Sequence, residues 1–98
     1  MKVLLVCAGG MSTSILMKKL ESYAAANDID FEIAAVGLSA YKDIAQDYDC
    51  ILVGPQVGYQ SDIIAKESGL NVEVIPPQDY GLARCENIFK LIDKTLAK

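Results

Sequence analysis

The sequence contains no histidine, no tryptophan and a single arginine, Arg84. Without histidine, the chain cannot build a Ser-His-Asp triad, a Cys-His dyad, an imidazole general base or an imidazole zinc site. Nor can it carry a phosphoryl group on histidine. One arginine leaves little scope for bidentate clamping of phosphate. Basic charge is scarce as well: 9 Lys and Arg face 13 Asp and Glu, a formal charge of −4. Such a balance provides no basic face for nucleic acid. No apolar run reaches transmembrane length, and the opening Met-Lys-Val-Leu-Leu-Val-Cys-Ala-Gly-Gly is broken by glycine too early for a secretory signal. The three cysteines, Cys7, Cys50 and Cys85, are odd in number and far apart, as expected of reduced thiols in a cytoplasmic protein. No metal and no cofactor is expected. Chemistry is left to thiols, hydroxyls, carboxylates and backbone amides.

What remains is apolar and regularly patterned. With 98 residues, 52% of them hydrophobic, the chain is long enough for one domain over residues 1–98, with a core of its own. Lys2 to Cys7 is a nearly unbroken apolar run, as in a strand buried on both faces, and Gly9-Gly10 stops it. From Ser12 to about Asn27 the period becomes helical, with Leu16, Leu20, Tyr23 and Ala24 on one face and Lys18 and Lys19 on the solvated one. Phe31 to Val36, carrying Glu32, suits an edge strand. A short helix over Ala40–Asp47, capped by Ser39, is expected next. Cys50 to Gly54 reads as a third, buried strand, followed by a helix over Tyr59–Ser68 with Gly69 beyond its end. Val72 to Ile75 is a fourth strand, ended by Pro76-Pro77, and a last helix over Leu82–Leu96 presents Cys85, Ile88, Phe89, Ile92 and Leu96 as its stripe.

Strand and helix therefore alternate four times. This order implies an α/β fold: a four-stranded parallel sheet, flavodoxin-like, with right-handed crossovers placing helices on both faces. The strand order 2-1-3-4 puts both unbroken apolar runs in the centre. Ligands then bind beyond the carboxyl ends of the strands, where the loops Cys7–Ser14 and Gly54–Tyr59 meet.

The segment Cys7-Ala8-Gly9-Gly10-Met11-Ser12-Thr13-Ser14 holds the most chemistry. A thiol ends a central strand, glycines expose consecutive N–H groups, and hydroxyl residues open a helix whose first turn has unsatisfied donors. This makes an anion cradle with no side-chain charge, whose field favours the nucleophilic thiolate of Cys7. Cys50 and Cys85 fit ordinary apolar positions. Ser12, Thr13 and Ser14 serve equally well as phosphate ligands or as helix caps. Dinucleotide and Walker-type signatures are absent.

The strand-ending Cys7 with Gly10-Met-Ser-Thr-Ser14, the stretch Leu52-Val-Gly-Pro-Gln-Val-Gly-Tyr59, and Val72-Glu-Val-Ile-Pro76 with Tyr80-Gly81 resemble the IIB component of the bacterial sugar phosphotransferase system, lactose/cellobiose (chitobiose) class. The resemblance runs over essentially the whole chain. It implies that Cys7 takes a phosphoryl group from a phosphohistidine on a IIA partner. Cys7 then passes it to a disaccharide held by the membrane transporter IIC. On the residues themselves, Gln56, Tyr59 and Tyr80 are candidates to shape the rim or touch a partner, and Met11 and Tyr80 offer either apolar contact surface for IIA and IIC or burial against the domain. A monomer meeting its partners transiently, without inserting in the membrane, is expected.

The loop is also similar to that of low-molecular-weight tyrosine phosphatases, in which Cys, five residues, Arg and Ser or Thr follow in order. Here Thr13 stands in the arginine position and Ser14 in the hydroxyl position. The Asp-Pro pair is missing, Asp79 is a poor candidate acid, and Arg84 is better read as a surface ion pair than as a phosphate ligand. A cysteine phosphatase and a flavodoxin-like module binding an anion or FMN are the alternatives.

Overall fold

A computed structural model describes residues 1–8 and 11–97, with residues 11 and 12 described by their backbone alone. Alternation along two apolar strands organises it. In β1 (Lys2–Val6) the side chains of Val3 and Leu5 point to one face and those of Leu4 and Val6 to the other; all four are fully buried. β3 (Cys50–Val53) does the same, with Cys50 and Leu52 on the first face and Ile51 and Val53 on the second. A strand buried on both faces needs helices on both, and connections between parallel strands supply them.

The four strands run parallel in the order β2-β1-β3-β4, with β2 spanning Glu32–Val36 and β4 spanning Val72–Val74. The expected order and the edge position of the Glu32 strand both hold. On one face, α1 (Met11–Ala26) buries Leu16, Leu20 and Ala24 against Val3, Leu5, Cys50 and Leu52, together with Ile88, Phe89 and Ile92 from the C-terminal helix. The other face packs Tyr41 of α2 (Tyr41–Ile44) and Ile64 of α3 (Ser61–Ser68) onto Leu4, Val6, Ile51 and Val53. Each layer buries aliphatic area at about 25 cal/mol per Å².

Three element boundaries differ from expectation. The last helix, α5 (Cys85–Leu96), starts at Cys85 rather than Leu82, and an unexpected short helix, α4 (Pro77–Gly81), precedes it across a turn in which Ala83 takes φ 50°. Pro77 occupies the first helical position, where its missing N–H costs nothing, so the Pro-Pro pair starts a helix as well as ending a strand. On α5, Thr95 is fully buried in place of Leu96, because its hydroxyl donates to the Leu91 carbonyl at 2.7 Å. Before α2, Ala40 is the N-cap residue and no side chain caps the helix, so Ser39 does not act as expected; a tight 3-10 turn over Ala45–Asp47 completes the segment. A 3-10 stretch from Pro55 to Gln60 precedes α3, so helical structure begins before Tyr59. Gly69 ends α3 in the left-handed conformation, φ 73°, as its position predicts.

Candidate active site

β1 ends at Val6, and the register continues one residue further: the Cys7 amide donates to the Val36 carbonyl at 3.0 Å. Cys7 is thereby fixed at the carboxyl edge of the sheet, 3% exposed, with its own N–H already used. Its Cβ packs against the strand-ending turn of β3. A side chain on Gly54 would come within 3.4 Å of Cys7 Cβ and 3.2 Å of Gln56 Oε1, so glycine there admits the close approach. Gly54 N–H in turn donates to the Val6 carbonyl at 2.8 Å.

The sulfur faces two oxygens. Thr13 Oγ1 donates toward Cys7 Sγ at 3.5 Å, and the thiol points toward the Val36 carbonyl at 3.9 Å. Thr13 is itself buried, and its hydroxyl is bonded to the Tyr80 hydroxyl at 2.8 Å. A pocket of about 250 Å³ opens beside the sulfur, lined by Cys7, Thr13, Ser14, Met17, Ala35, Val36 and Gly37. Because α1 begins at Met11, its opening turn lies just past the thiol with amide hydrogens that have no intrahelical acceptor. A buried thiol, hydroxyls and the first-turn amides at a positive helix end form an environment suited to a dianionic group on sulfur.

The structure brings some of the expected site residues together and leaves others apart. Cys7, Thr13 and Ser14 line one pocket; Ala8 is exposed beside it. Gly9 and Gly10, and the side chains of Met11 and Ser12, lie outside the described residues. Beside β2 the pocket is lined by Ala35, Val36 and Gly37, and the Gly54–Tyr59 segment, although it meets Cys7 as expected, is not among the described lining residues. That segment instead supports the Cys7 backbone from the other side. Gln56 is exposed, and Tyr59 is 76% exposed, free of the pocket.

Tyr80 is not on the rim. It is 8% exposed, its ring joins the core under α1, and its hydroxyl bonds Thr13. This Thr13–Tyr80 pair spans 67 residues and was not read from the sequence. A threonine in the place where the phosphatases keep arginine was its only signal. Arg84 does not substitute for that arginine: its guanidinium lies 3.9 Å from Asp79 Oδ1, an oxygen that also accepts from Asn87 at 3.0 Å. Asp79 is thus engaged by Arg84 and Asn87 and is not among the described residues that line the Cys7 pocket. Among the described residues, no helix is long and apolar enough to cross a membrane.

Comparison with known proteins gives a consistent result. Residues 2–91 match the family model described as PTS system, lactose/cellobiose-specific IIB subunit. The oligo-beta-mannoside-specific EIIB component of Bacillus subtilis is 39% identical over 85 residues, covering 84% of this chain and 82% of that protein. The galactose-specific EIIB component of Lactococcus lactis subsp. cremoris is 35% identical, covering 88% of this chain and 87% of its own. The solution structure of a cellobiose-specific IIB component from Borrelia burgdorferi superposes with a TM-score of 0.82 at 31% identity, over 99% of this chain and 92% of that one.

Proposed function

This chain belongs to the lactose/cellobiose-specific IIB family of the phosphotransferase system, and on that premise we propose that Cys7 carries the phosphoryl group as a phosphocysteine. As a IIB unit of lactose/cellobiose type, the chain serves sugar uptake as a phosphoryl carrier. In the finer reading, the thiolate of Cys7 attacks a phosphohistidine on a IIA partner. The phosphoryl group then passes to a disaccharide of cellobiose, chitobiose or lactose type held by IIC. The histidine that this chain lacks is supplied by IIA.

One observation carries the reading. Cys7 ends the central strand inside a pocket, with a hydroxyl donor at 3.5 Å from its sulfur and the start of a 16-residue helix four positions on. Association with IIC is supported by a relative named lactose-specific EIICB component from Staphylococcus epidermidis, 33% identical over 66 residues, of which this chain spans 11%. We read residues 1–98 as one domain that acts in the cytoplasm as a monomer and meets IIA and IIC in turn. Backbone amides and hydroxyls hold the phosphate. Hydrolysis, which would waste the phosphoryl group, lacks its arginine and its acid.

The test is phosphoryl relay in a reconstituted system. Incubated with phosphorylated IIA and membranes containing IIC, the protein is expected to take up label and support formation of sugar phosphate. Cys7→Ser is expected to stop both. Labelling that persists in Cys7→Ala would contradict the assignment, and steady hydrolysis of an aryl phosphate would favour the phosphatase reading.

A further inference from the structure

The Thr13–Tyr80 pair is a buried polar contact that the carrier reading does not require. Two hydroxyls meet at 2.8 Å inside an otherwise apolar layer, and one of them is 3.5 Å from the reacting sulfur. The direction of the bonds follows from proton counting. Each hydroxyl has one proton to donate. Among the described residues, the Tyr80 hydroxyl has no second partner, so it satisfies itself best by donating to Thr13. The Thr13 proton is then committed to the sulfur. The chain reads Tyr80 O–H to Thr13 Oγ1, then Thr13 O–H to Cys7 Sγ.

We infer that Tyr80 is a positioning residue for phosphoryl transfer: it locks the Thr13 hydroxyl as a donor to the Cys7 sulfur. This rests on the phosphocysteine reading and deepens it. In transfer to the sugar, the S–P bond breaks and its electron pair stays on sulfur. The sugar hydroxyl oxygen bonds phosphorus, and the proton of that hydroxyl is released to solvent. Negative charge therefore builds on Sγ as the phosphoryl group leaves. In the donor step it is present on Sγ before attack. A hydrogen bond to charged sulfur is stronger than one to a thioester-like S–P sulfur, so Thr13 stabilises the transition between them more than the phosphorylated ground state. Left without Tyr80, the Thr13 hydroxyl is free to rotate its proton away from the sulfur and onto a phosphate oxygen. With Tyr80 in place, it costs no reorganisation at the moment of transfer.

The experiment is a double-mutant cycle on single-turnover transfer from the phosphorylated protein to sugar on IIC, with the phosphate adduct on Cys7 quantified by intact mass before each run. Thr13→Val keeps the shape and removes the donor; its rate is expected to fall by about ten- to hundredfold, the span of a hydrogen bond to a charged group. Thr13→Ser restores the hydroxyl and is expected to recover most of the rate. Tyr80→Phe is expected to lose about three- to tenfold, as an indirect effect, with apparent affinity for IIC unchanged. In the Thr13→Val background, Tyr80→Phe is expected to add nothing, because Tyr80 acts only through Thr13. Equal losses from Tyr80→Phe in both backgrounds, or an unchanged rate in Thr13→Val, would overturn the inference. Absence of an adduct on the unmodified protein would instead overturn the phosphocysteine reading, so the two failures are distinguishable.

Discussion

Cys50 opens β3 opposite Val3 of β1, and Cys7 follows the last residue of β1 beside Gly54 at the far end of β3. The two thiols are thus on neighbouring central strands at opposite edges of one sheet, 0% and 3% exposed respectively. Cys50 is surrounded by core: it packs with Val3, Leu5, Leu52 and the helices over that face, and burial, helped by the charge of Asp49, pushes its thiol up to about 11. Cys7 is equally hidden from bulk water, yet it borders a pocket and faces a hydroxyl. Burial does not separate a core cysteine from the one proposed here to carry the phosphoryl group. The edge of the sheet does: in a parallel sheet the carboxyl ends collect on one side, where loops and helix N-termini bring amides and hydroxyls together. The amino edge receives helix C-termini instead, and Cys50 there is enclosed by core residues beside the charge of Asp49.

The contrast breaks most decisively through substitution. Cys7→Ala is expected to abolish phosphoryl uptake and sugar phosphate formation, while Cys50→Ala keeps transfer within about twofold, as expected for a residue away from the reacting atoms. If Cys50→Ala also abolished uptake in a folded protein, the edge argument would fail. Alkylation sharpens the same point. In native protein, iodoacetamide mapped by peptide mass is expected to modify Cys7 at least about tenfold faster than Cys50, which reacts only through opening of the core. In urea, the two rates should converge.

Stability gives a smaller effect with the opposite ranking. Cys50→Ser places a hydroxyl among Val3, Leu5 and Leu52 and is expected to cost about 1–3 kcal/mol in urea denaturation. Cys7→Ser, beside polar groups, should cost less.

The smallest effect is on the alkaline limb. The Cys50 thiol is raised from 9.0 to about 11, and the Tyr41 phenol is raised from 10.0 to about 12, by burial first and then by its hydrogen bond to Glu67 and that carboxylate's charge. Both groups are held neutral in the native state more strongly than in the unfolded chain. Their contribution is complete below the unfolded values and is lost as pH rises through the folded ones. Denaturation midpoints are expected to fall progressively above pH 9, and the fall should be shallower in Cys50→Ala. A midpoint that rises with pH there would reverse the sign.

Much of this was legible in residue order. Lys2–Val6 and Cys50–Val53 announce central strands because every position is apolar, and Glu32 marks an edge. From these the order β2-β1-β3-β4 follows, and with it the placement of Cys7. The rest was hidden for identifiable reasons. The break between α4 and α5 depends on Ala83 adopting φ 50°, which an alanine gives no hint of. The buried position of Thr95 depends on a local bond to Leu91 that hydropathy does not register. Tyr80 meets Thr13 only because α4 folds back under α1, a contact across 67 residues. The β2 side of the pocket is set by where that strand ends, at Val36 and Gly37, rather than by any motif. Periodicity reports which face is buried; it does not report which polar groups are buried together.

The central claim is that the phosphoryl group rides on the sulfur at the carboxyl edge of the sheet. It is tested most directly by exposing the protein to phosphorylated IIA, digesting it without acid, and locating the phosphate adduct by peptide mass spectrometry. The account predicts one phosphate, on the peptide containing Cys7, and none on the peptides of Cys50 or Cys85. A phosphate found on Ser12, Thr13, Ser14 or any other residue, with Cys7 unmodified, would contradict it.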